Sequence, residues 1–429
     1  MSVPPAIHHT PPSGKRAIYY YTDWSVYSKK YFVKDLPLDH ITDLCYAFFN
    51  VSSNGEVFSG DPDATFSNMF IGQGVQPENS WWPESPPQDR GILGQLRKIK
   101  AQGKPLDVHL SVGGWTWSKY FSDAVSTPTS RQNFVNSLKK LVLEWPGLFS
   151  GFSLDWEYLS DNGINMGLEG NIARKDDARN FIELLKSMRA TFPGYTLALC
   201  VAAAPEKIHL PLKELTPLLD AYHSMDYDFS DGVWGDKITA HHTNPRKSSF
   251  GKWSAEQAAD YLISQGVPST KIFLGGALYS RGFANTDGFG KVASGGSPDF
   301  EDPQAVGTVP YHMLPRPGAT EYIDPESRGA YSYDPKRRVC NTYDSPLSVA
   351  EKCKIVWEKN LGGIIFWEAS GDVRDYNSPR SIMRTVAENL THCAPKVNPP
   401  PPAPSPAVVK PAPPPVVKPK PVVLKPVSK

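Results

Sequence analysis

Eight short apolar runs alternate with helix-patterned stretches between Ala17 and about Ala394, and this alternation constrains the chain more than any other feature. The runs are Ala17–Tyr21, Leu44–Phe49, Asp107–Val112, Gly151–Trp156, Thr196–Val201, Ala221–Tyr227, Ile272–Leu278 and Gly362–Trp367. Eight strands each followed by helix predict a closed parallel barrel, an α/β fold of the (β/α)8 or TIM type. The rival is an open doubly wound sheet, but no Gly-rich phosphate loop follows the first run. The connections are unequal. The stretch from Ser53 to Pro87 is long, polar and Pro-rich, with Trp81 and Trp82 inside it, and long loops after a barrel strand usually shape a cleft. The span between the last two runs exceeds one helix, so residues 282–343 are expected to form a small α+β insertion within a 16–394 barrel.

Composition narrows the function classes. The 429 residues carry a net charge of +1, which gives no long-range field for nucleic acid or an anionic membrane. Lys and Arg are scattered, without the basic stripe and interleaved aromatics that nucleic-acid binding needs. No run reaches membrane-spanning length. The 11 Trp and 19 Tyr suit stacking on flat ligands such as sugar rings, or equally a surplus of core aromatics. Residues 1–15 are expected to be disordered and contain no apolar leader, so the chain is either intracellular or a mature form with an added Met. Asn50-Val-Ser and Asn389-Leu-Thr match the glycosylation triplet and hint at secretion. Cys45 and Cys200 read as buried thiols, while Cys340, Cys353 and Cys393 are candidates for a late disulfide. From Pro395 to Lys429 stand 14 Pro, six Lys and no acid, a polyproline-like tail that is a spacer or a basic anchor.

The chemistry concentrates at Phe149-Ser-Gly-Phe-Ser-Leu-Asp-Trp-Glu-Tyr158. On a strand, alternate side chains share a face, so Ser153, Asp155 and Glu157 point one way and Phe152, Leu154 and Trp156 the other. In a barrel the polar row faces the lumen and ends at the C-terminal tip, where barrel active sites lie. Burial and the neighbouring charge of Asp155 would raise the pKa of Glu157 and let it hold a proton. The competing reading is a structural carboxylate pair. His109 reads as part of the barrel wall. His8-His9 and His241-His242 lack partners at metal-ligand spacing. Asp231 and Trp234 suit either a cleft lining or an ordinary loop.

Seven motifs then resemble those of the chitinases of glycoside hydrolase family 18. The segment is similar to the signature Asp-x-x-Asp-x-Asp-x-Glu, whose positions fall on Ser150, Ser153, Asp155 and Glu157. Ser111-Val-Gly-Gly-Trp115, Met225-Asp-Tyr-Asp228, Tyr279-Ser-Arg281, Gly362-Gly-Ile-Ile-Phe-Trp367, Tyr20-Tyr-Thr-Asp-Trp24 and Tyr46-Ala-Phe48 resemble the motifs of other strand ends, in order. The resemblance implies substrate-assisted retaining hydrolysis of β-1,4-linked N-acetylglucosamine polymers, an exception to the two-carboxylate scheme. Glu157 would protonate the glycosidic oxygen while the substrate's own acetamide oxygen attacks the anomeric carbon. Asp155 would hold the acetamide N–H, with Tyr227 and Asp228 orienting it and Ser153 in the acid's neighbourhood. Trp367 would floor the site, with Gly114, Trp115, Tyr20, Phe48, Met225, Tyr279 and Arg281 around the sugar. The resemblance implies no metal and no cofactor, chitin or chitooligosaccharides as the partner, a monomer, and an extracellular or cell-wall location.

Ser150 and Ser153 replace two signature aspartates. A serine can donate one hydrogen bond but cannot store a proton. Losing that buried like charge is expected to lower the Asp155 pKa and keep it ionised. The expected rate loss is roughly two to four orders of magnitude, with binding little affected. Two functions therefore stand: a slowed chitinase, or an inactive protein that sequesters chitin oligomers. Ser111, nearby in strand order, is a candidate to compensate for Ser153.

Overall fold

The computed structural model of the chain describes residues 2–76, 86–159, 163, 170–301 and 305–392. Its strands in chain order are β1 (Arg16–Thr22), β2 (Asp43–Val51), β3 (Val57–Ser59), β4 (Asp107–Gly113), β5 (Gly151–Asp155), β6 (Thr196–Ala202), β7 (Ala221–Met225), β8 (Ile272–Ala277), β9 (Tyr279–Phe283), β10 (Val309–Pro310), β11 (Thr320–Ile323), β12 (Ala330–Asp334), β13 (Val339–Tyr343) and β14 (Gly363–Trp367). The eight apolar runs correspond to β1, β2, β4 to β8 and β14. These pair in parallel around a ring, which closes because β1 pairs with both β14 and β2. The fold is thus the expected TIM barrel.

The helices are α1 (Gly91–Ala101), α2 (Phe121–Ser126), α3 (Pro128–Glu144), α4 (Asp177–Thr191), α5 (Leu212–Leu215), α6 (Ala255–Ser264), α7 (Pro346–Glu358) and α8 (Ile382–Val386). Local chemistry sets where α3 and α7 begin. Thr127 accepts from the Ser130 N–H and Pro128 occupies the first turn, and Ser345 and Pro346 repeat the device on α7. Between β1 and β2 the described chain has only two 3-10 turns, at Asp23–Val26 and Val33–Asp35.

Strand alternation divides the core in two. Tyr19 and Tyr21 belong to the layer between barrel and helices, whereas Ile18 and Tyr20 belong to a smaller cluster with Cys45, Ala198, Cys200 and Ile365 inside the barrel. The insertion is a five-stranded antiparallel sheet in the order β10-β9-β13-β12-β11.

Residues 2–15, expected to be disordered, instead make hydrogen bonds to the barrel. Tyr195 and Ser150 hydroxyls donate to the carbonyls of Pro4 and Ile7. His9 donates its backbone N–H to Asp107, which also pairs with Arg16. Polar composition concealed this because the arm is tied down by hydrogen bonds to residues distant in sequence, with Val3 and Ala6 packed against the core. His109, as expected, belongs to the wall and lies 2.8 Å from Asp43. Cys340 is a buried free thiol, which removes it from the expected disulfide. Cys393, Trp81, Trp82 and the Pro/Lys tail lie outside the described residues.

Candidate active site

The two faces of β5 separate as strand geometry requires. Phe152 packs on Phe192 and Tyr195 with ring centroids 4.8 and 5.7 Å apart, and Trp156 packs on Phe121 and Phe181 at 5.2 and 5.8 Å, all on the helix side. Ser153 points into the lumen, where its hydroxyl lies 2.9 Å from the Tyr20 phenol and 3.5 Å from the Cys200 sulfur. Asp155 ends the strand on the same face, and Glu157 follows just beyond it. Both are buried.

The turn after β5 is held from β4 and its loop. The Gly114 N–H donates to the Asp155 carbonyl at 2.8 Å. The Glu157 N–H donates to the Ser118 hydroxyl at 2.9 Å, and the Asn171 amide donates to the Glu157 carbonyl at 2.7 Å. Gly113 and Gly114 adopt φ of 108° and 91°. A Cβ on Gly113 would stand 2.2 Å from the Asp155 carbonyl oxygen, and one on Gly114 would stand 2.7 Å from the Phe48 ring. The two glycines therefore permit a backbone approach that no other residue fits. Ser118 and Asn171 escaped the sequence reading because their roles depend on loop contacts.

Burial raises the Glu157 carboxyl well above its ordinary range, and the charges of Asp155 and Asp228 add to this, while a hydrogen bond with Tyr158 opposes it. Asp155 differs from the expectation. Burial raises it too, and a hydrogen bond with Cys200 opposes this only in part. Although position 153 carries no charge, Asp155 is raised rather than held low, because burial dominates. Among the described residues, Asp155 Oδ1 is buried without a hydrogen-bond partner.

Asp228 behaves oppositely. It sits at φ 60° beyond β7 and accepts from the Tyr279 hydroxyl at 2.6 Å and from Arg281 Nε and Nη2 at 2.8 and 2.7 Å. Burial works to raise it, but the Arg281 guanidinium and His242 hold it well below the usual carboxylate range. His242 contributes from 3.7 Å, a contact not anticipated from the sequence. Arg281 also reaches Asp231 at 3.3 Å and stacks under the exposed Trp234 at 4.7 Å, so both loop residues belong to this rim. Burial pushes Asp231 up to about 6.

Trp367 ends β14 and stacks on Phe48 with centroids 5.4 Å apart and planes at 21°; Tyr20 and Trp24 lie at 5.8 and 6.3 Å. Trp115 is partly exposed, 6.5 Å from Tyr158. The peptide bonds Ala47–Phe48, Glu157–Tyr158 and Trp367–Glu368 are cis. Glu157, Tyr158, Met225, Tyr227 and Asp228 line a cleft of about 520 Å³ that extends to Lys207, Ile238 and Trp253, within the size range of ligand sites. Trp367, Phe48 and Trp115 are not part of that lining. Among the described residues, no group of three or more His, Cys, Asp or Glu could hold a metal ion.

The arrangement offers a buried acid able to carry a proton, a neighbouring carboxyl with an oxygen unpartnered among the described residues, and, outside the lining of the cleft, an aromatic cluster around Trp367. The sequence profile described as glycosyl hydrolases family 18 matches residues 16–372. Chitinase 1 of Aphanocladium album is 32% identical over 382 residues, spanning 85% of this chain and 84% of that protein. Endochitinase 1 of Metarhizium robertsii is 33% identical over 387 residues, spanning 86% and 84%. The catalytic domain of psychrophilic chitinase B from Arthrobacter TAD20 superposes with a TM-score of 0.79 at 25% identity, covering 91% of this chain and 98% of that one.

Proposed function

The chain belongs to glycosyl hydrolase family 18, and from that premise we propose that it binds chitin or chitooligosaccharides and hydrolyses their β-1,4-N-acetylglucosamine links slowly, by substrate-assisted retaining catalysis. One observation carries the reading: Glu157, whose carboxyl is raised well above its ordinary range by burial and by the charge of Asp155, stands beside a carboxyl whose Oδ1 has no partner among the described residues. Glu157 protonates the leaving oxygen. The substrate's acetamide oxygen attacks the anomeric carbon, and Asp155 Oδ1 accepts the acetamide N–H and balances the positive charge of the resulting oxazolinium ion. Tyr227 orients the acetamide, and Asp228, pinned by Arg281 and Tyr279, adds a fixed negative charge near Glu157. Trp367 supports the apolar face of the sugar, with Tyr20, Phe48, Trp115, Gly114 and Met225 around it. The cycle needs neither metal nor cofactor.

Ser153 sets the rate. Its hydroxyl cannot take up or return a proton, so Asp155 lacks the partner that would shuttle charge during the cycle. The same observation favours a second reading, in which turnover is negligible and the protein sequesters chitin oligomers. Among the described residues no helix is long and apolar enough to cross a membrane. An extracellular or cell-wall location, and action as a monomer, complete the proposal.

Calorimetric binding of a chitooligosaccharide, paired with a hydrolysis assay on the same preparation, tests both readings. Binding with slow cleavage supports the first, and binding without cleavage supports the second. Absence of binding contradicts both.

A further inference from the structure

We propose that His242 is a positioning residue for Asp228: its imidazole takes the Asp228 N–H on one side and grips the strand that carries Tyr279 and Arg281 on the other. The inference rests on the reading of Asp228 as a fixed negative charge near Glu157.

Asp228 needs holding. It stands at φ 60°, in the left-handed region that a residue other than glycine keeps only where its surroundings enforce it. Its carboxylate accepts from Tyr279 and Arg281, both on β9. Those contacts fix the carboxylate oxygens but not the backbone beyond β7. His242 supplies the backbone contacts. The Asp228 N–H donates to His242 Nδ1 at 3.4 Å, and the Phe229 N–H donates to the His242 carbonyl at 3.2 Å. On its far side, His242 Nε2 lies 3.2 Å from the Tyr279 carbonyl, and the two rings pack with centroids 5.2 Å apart.

The neighbours fix the proton on the ring. A carbonyl oxygen only accepts, so Nε2 carries the hydrogen and donates to Tyr279. In a neutral ring Nδ1 is then an acceptor, and the Asp228 N–H is the donor it meets. Burial lowers the His242 pKa and favours this neutral form. Both ring nitrogens are used, and the side chain is buried.

The clamp is itself anchored. The His242 N–H donates to Thr342 Oγ1 at 3.3 Å, and Thr342 pairs in register with Arg281 across β13 and β9. The hydroxyl of the next residue, Thr243, lies 3.1 Å from the Asp226 carbonyl and 2.7 Å from the buried Lys352 ammonium. The charged and titratable groups around His242 are Asp228 beyond β7, Tyr279 and Arg281 from β9, and Asp344 beyond β13, which is paired with Lys352. His242 does not line the cleft, whereas Asp228 does and adds to the charge that raises Glu157. A change at position 242 therefore reaches the acid through Asp228.

The test has two arms on the full chain. In the first, the pH dependence of kcat and KM is measured for hydrolysis of a chitooligosaccharide by the unmodified chain, His242→Leu and His242→Asn. Asn keeps an acceptor in the place of Nδ1, and Leu keeps only bulk. His242→Leu should lower kcat about tenfold with KM little changed. It should also move the basic limb of kcat down by about half a pH unit, as Glu157 loses part of the field of Asp228. His242→Asn should restore most of both. A histidine that only fills space would lower thermal stability in both variants and leave the basic limb in place, which would overturn the proposal.

The second arm needs no turnover. Amide hydrogen exchange read by mass spectrometry should be about tenfold faster at residues 225–229 in His242→Leu, close to normal there in His242→Asn, and unchanged in the rest of the barrel. Equal exchange in that segment for all three proteins, or an increase spread over the whole barrel, overturns the proposal. Should His242→Leu fail to fold, His242→Gln takes its place in both arms, since it keeps a donor for Tyr279 and lacks the acceptor at Nδ1. The expected exchange pattern in a chain that cleaves no oligosaccharide supports the positioning role and refutes the hydrolytic reading instead.

Discussion

The hydroxyl of Ser111, paired in register with Ser153 across β4 and β5, is buried without a hydrogen-bond partner among the described residues. A buried orphan hydroxyl costs about 1–3 kcal/mol, so its presence calls for an account. Ser153 turns instead toward Tyr20 and Cys200. A carboxyl at position 153 has two oxygens and reaches farther than a hydroxyl, so it could accept from Ser111 and Tyr20 together. Ser111 does not compensate for Ser153 by a direct hydrogen bond.

The assignment of Glu157 as proton donor is tested by Glu157→Gln. The amide matches the acid in shape but cannot give up a proton. Hydrolysis of a chitooligosaccharide should fall by at least about 10²-fold, while calorimetric affinity stays within a few-fold. Equal turnover would mean that another group delivers the proton.

The aromatic floor makes a separate prediction. Trp367 is stacked on Phe48 and presents a large apolar surface. Trp367→Ala should weaken oligosaccharide binding about 30-fold, equivalent to about 2 kcal/mol. Titration calorimetry checks this, and an unchanged Kd would remove the floor from the site.

Gly113 links the fold to the chemistry. Gly113→Ala combines a positive φ with a Cβ placed 2.2 Å from the Asp155 carbonyl. The cost should be about 1–3 kcal/mol or more, seen as a lower Tm, with hydrolysis reduced further than stability alone explains. A neutral Tm would show that the turn after β5 yields easily.

Asp226 supplies a pH prediction. Its carboxyl accepts from Ser224 at 2.6 Å and from the Gly275 N–H at 2.7 Å, but burial outweighs these bonds and pushes it from 3.8 up to about 7. The folded state therefore binds a proton more tightly than the unfolded chain. Its contribution is fully present below 3.8 and is lost as pH rises through about 7. Asp226→Asn mimics the protonated form and escapes this loss. Its stability relative to the unmodified chain should rise by on the order of 3–4 kcal/mol between about pH 4 and about pH 8. A constant offset in Tm across that range would contradict the account.

Much of the fold was legible because barrel strands carry a period-two signal and a fixed destination for each face. Phe152 and Trp156 read as helix-facing and Ser153 and Asp155 as lumen-facing, and they are so placed. What escaped depends on pairs distant in sequence. The arm at residues 2–15 is polar and Pro-rich, yet Ser150 and Tyr195 fix its carbonyls, which composition does not encode. Cys200 read as a small apolar residue because periodicity gives a side chain's face and not its neighbours. The Asp155 shift was misjudged because repulsion can be counted from the motif, whereas desolvation depends on the eight strands around it.

The comparison of Ser153→Asp with the unmodified chain tests the central claim most directly. The kcat for hydrolysis of a chitooligosaccharide should rise by roughly 10²–10⁴-fold in Ser153→Asp, with the dissociation constant changed little. Equal rates in the two proteins would contradict the claim that the serine limits an otherwise competent site.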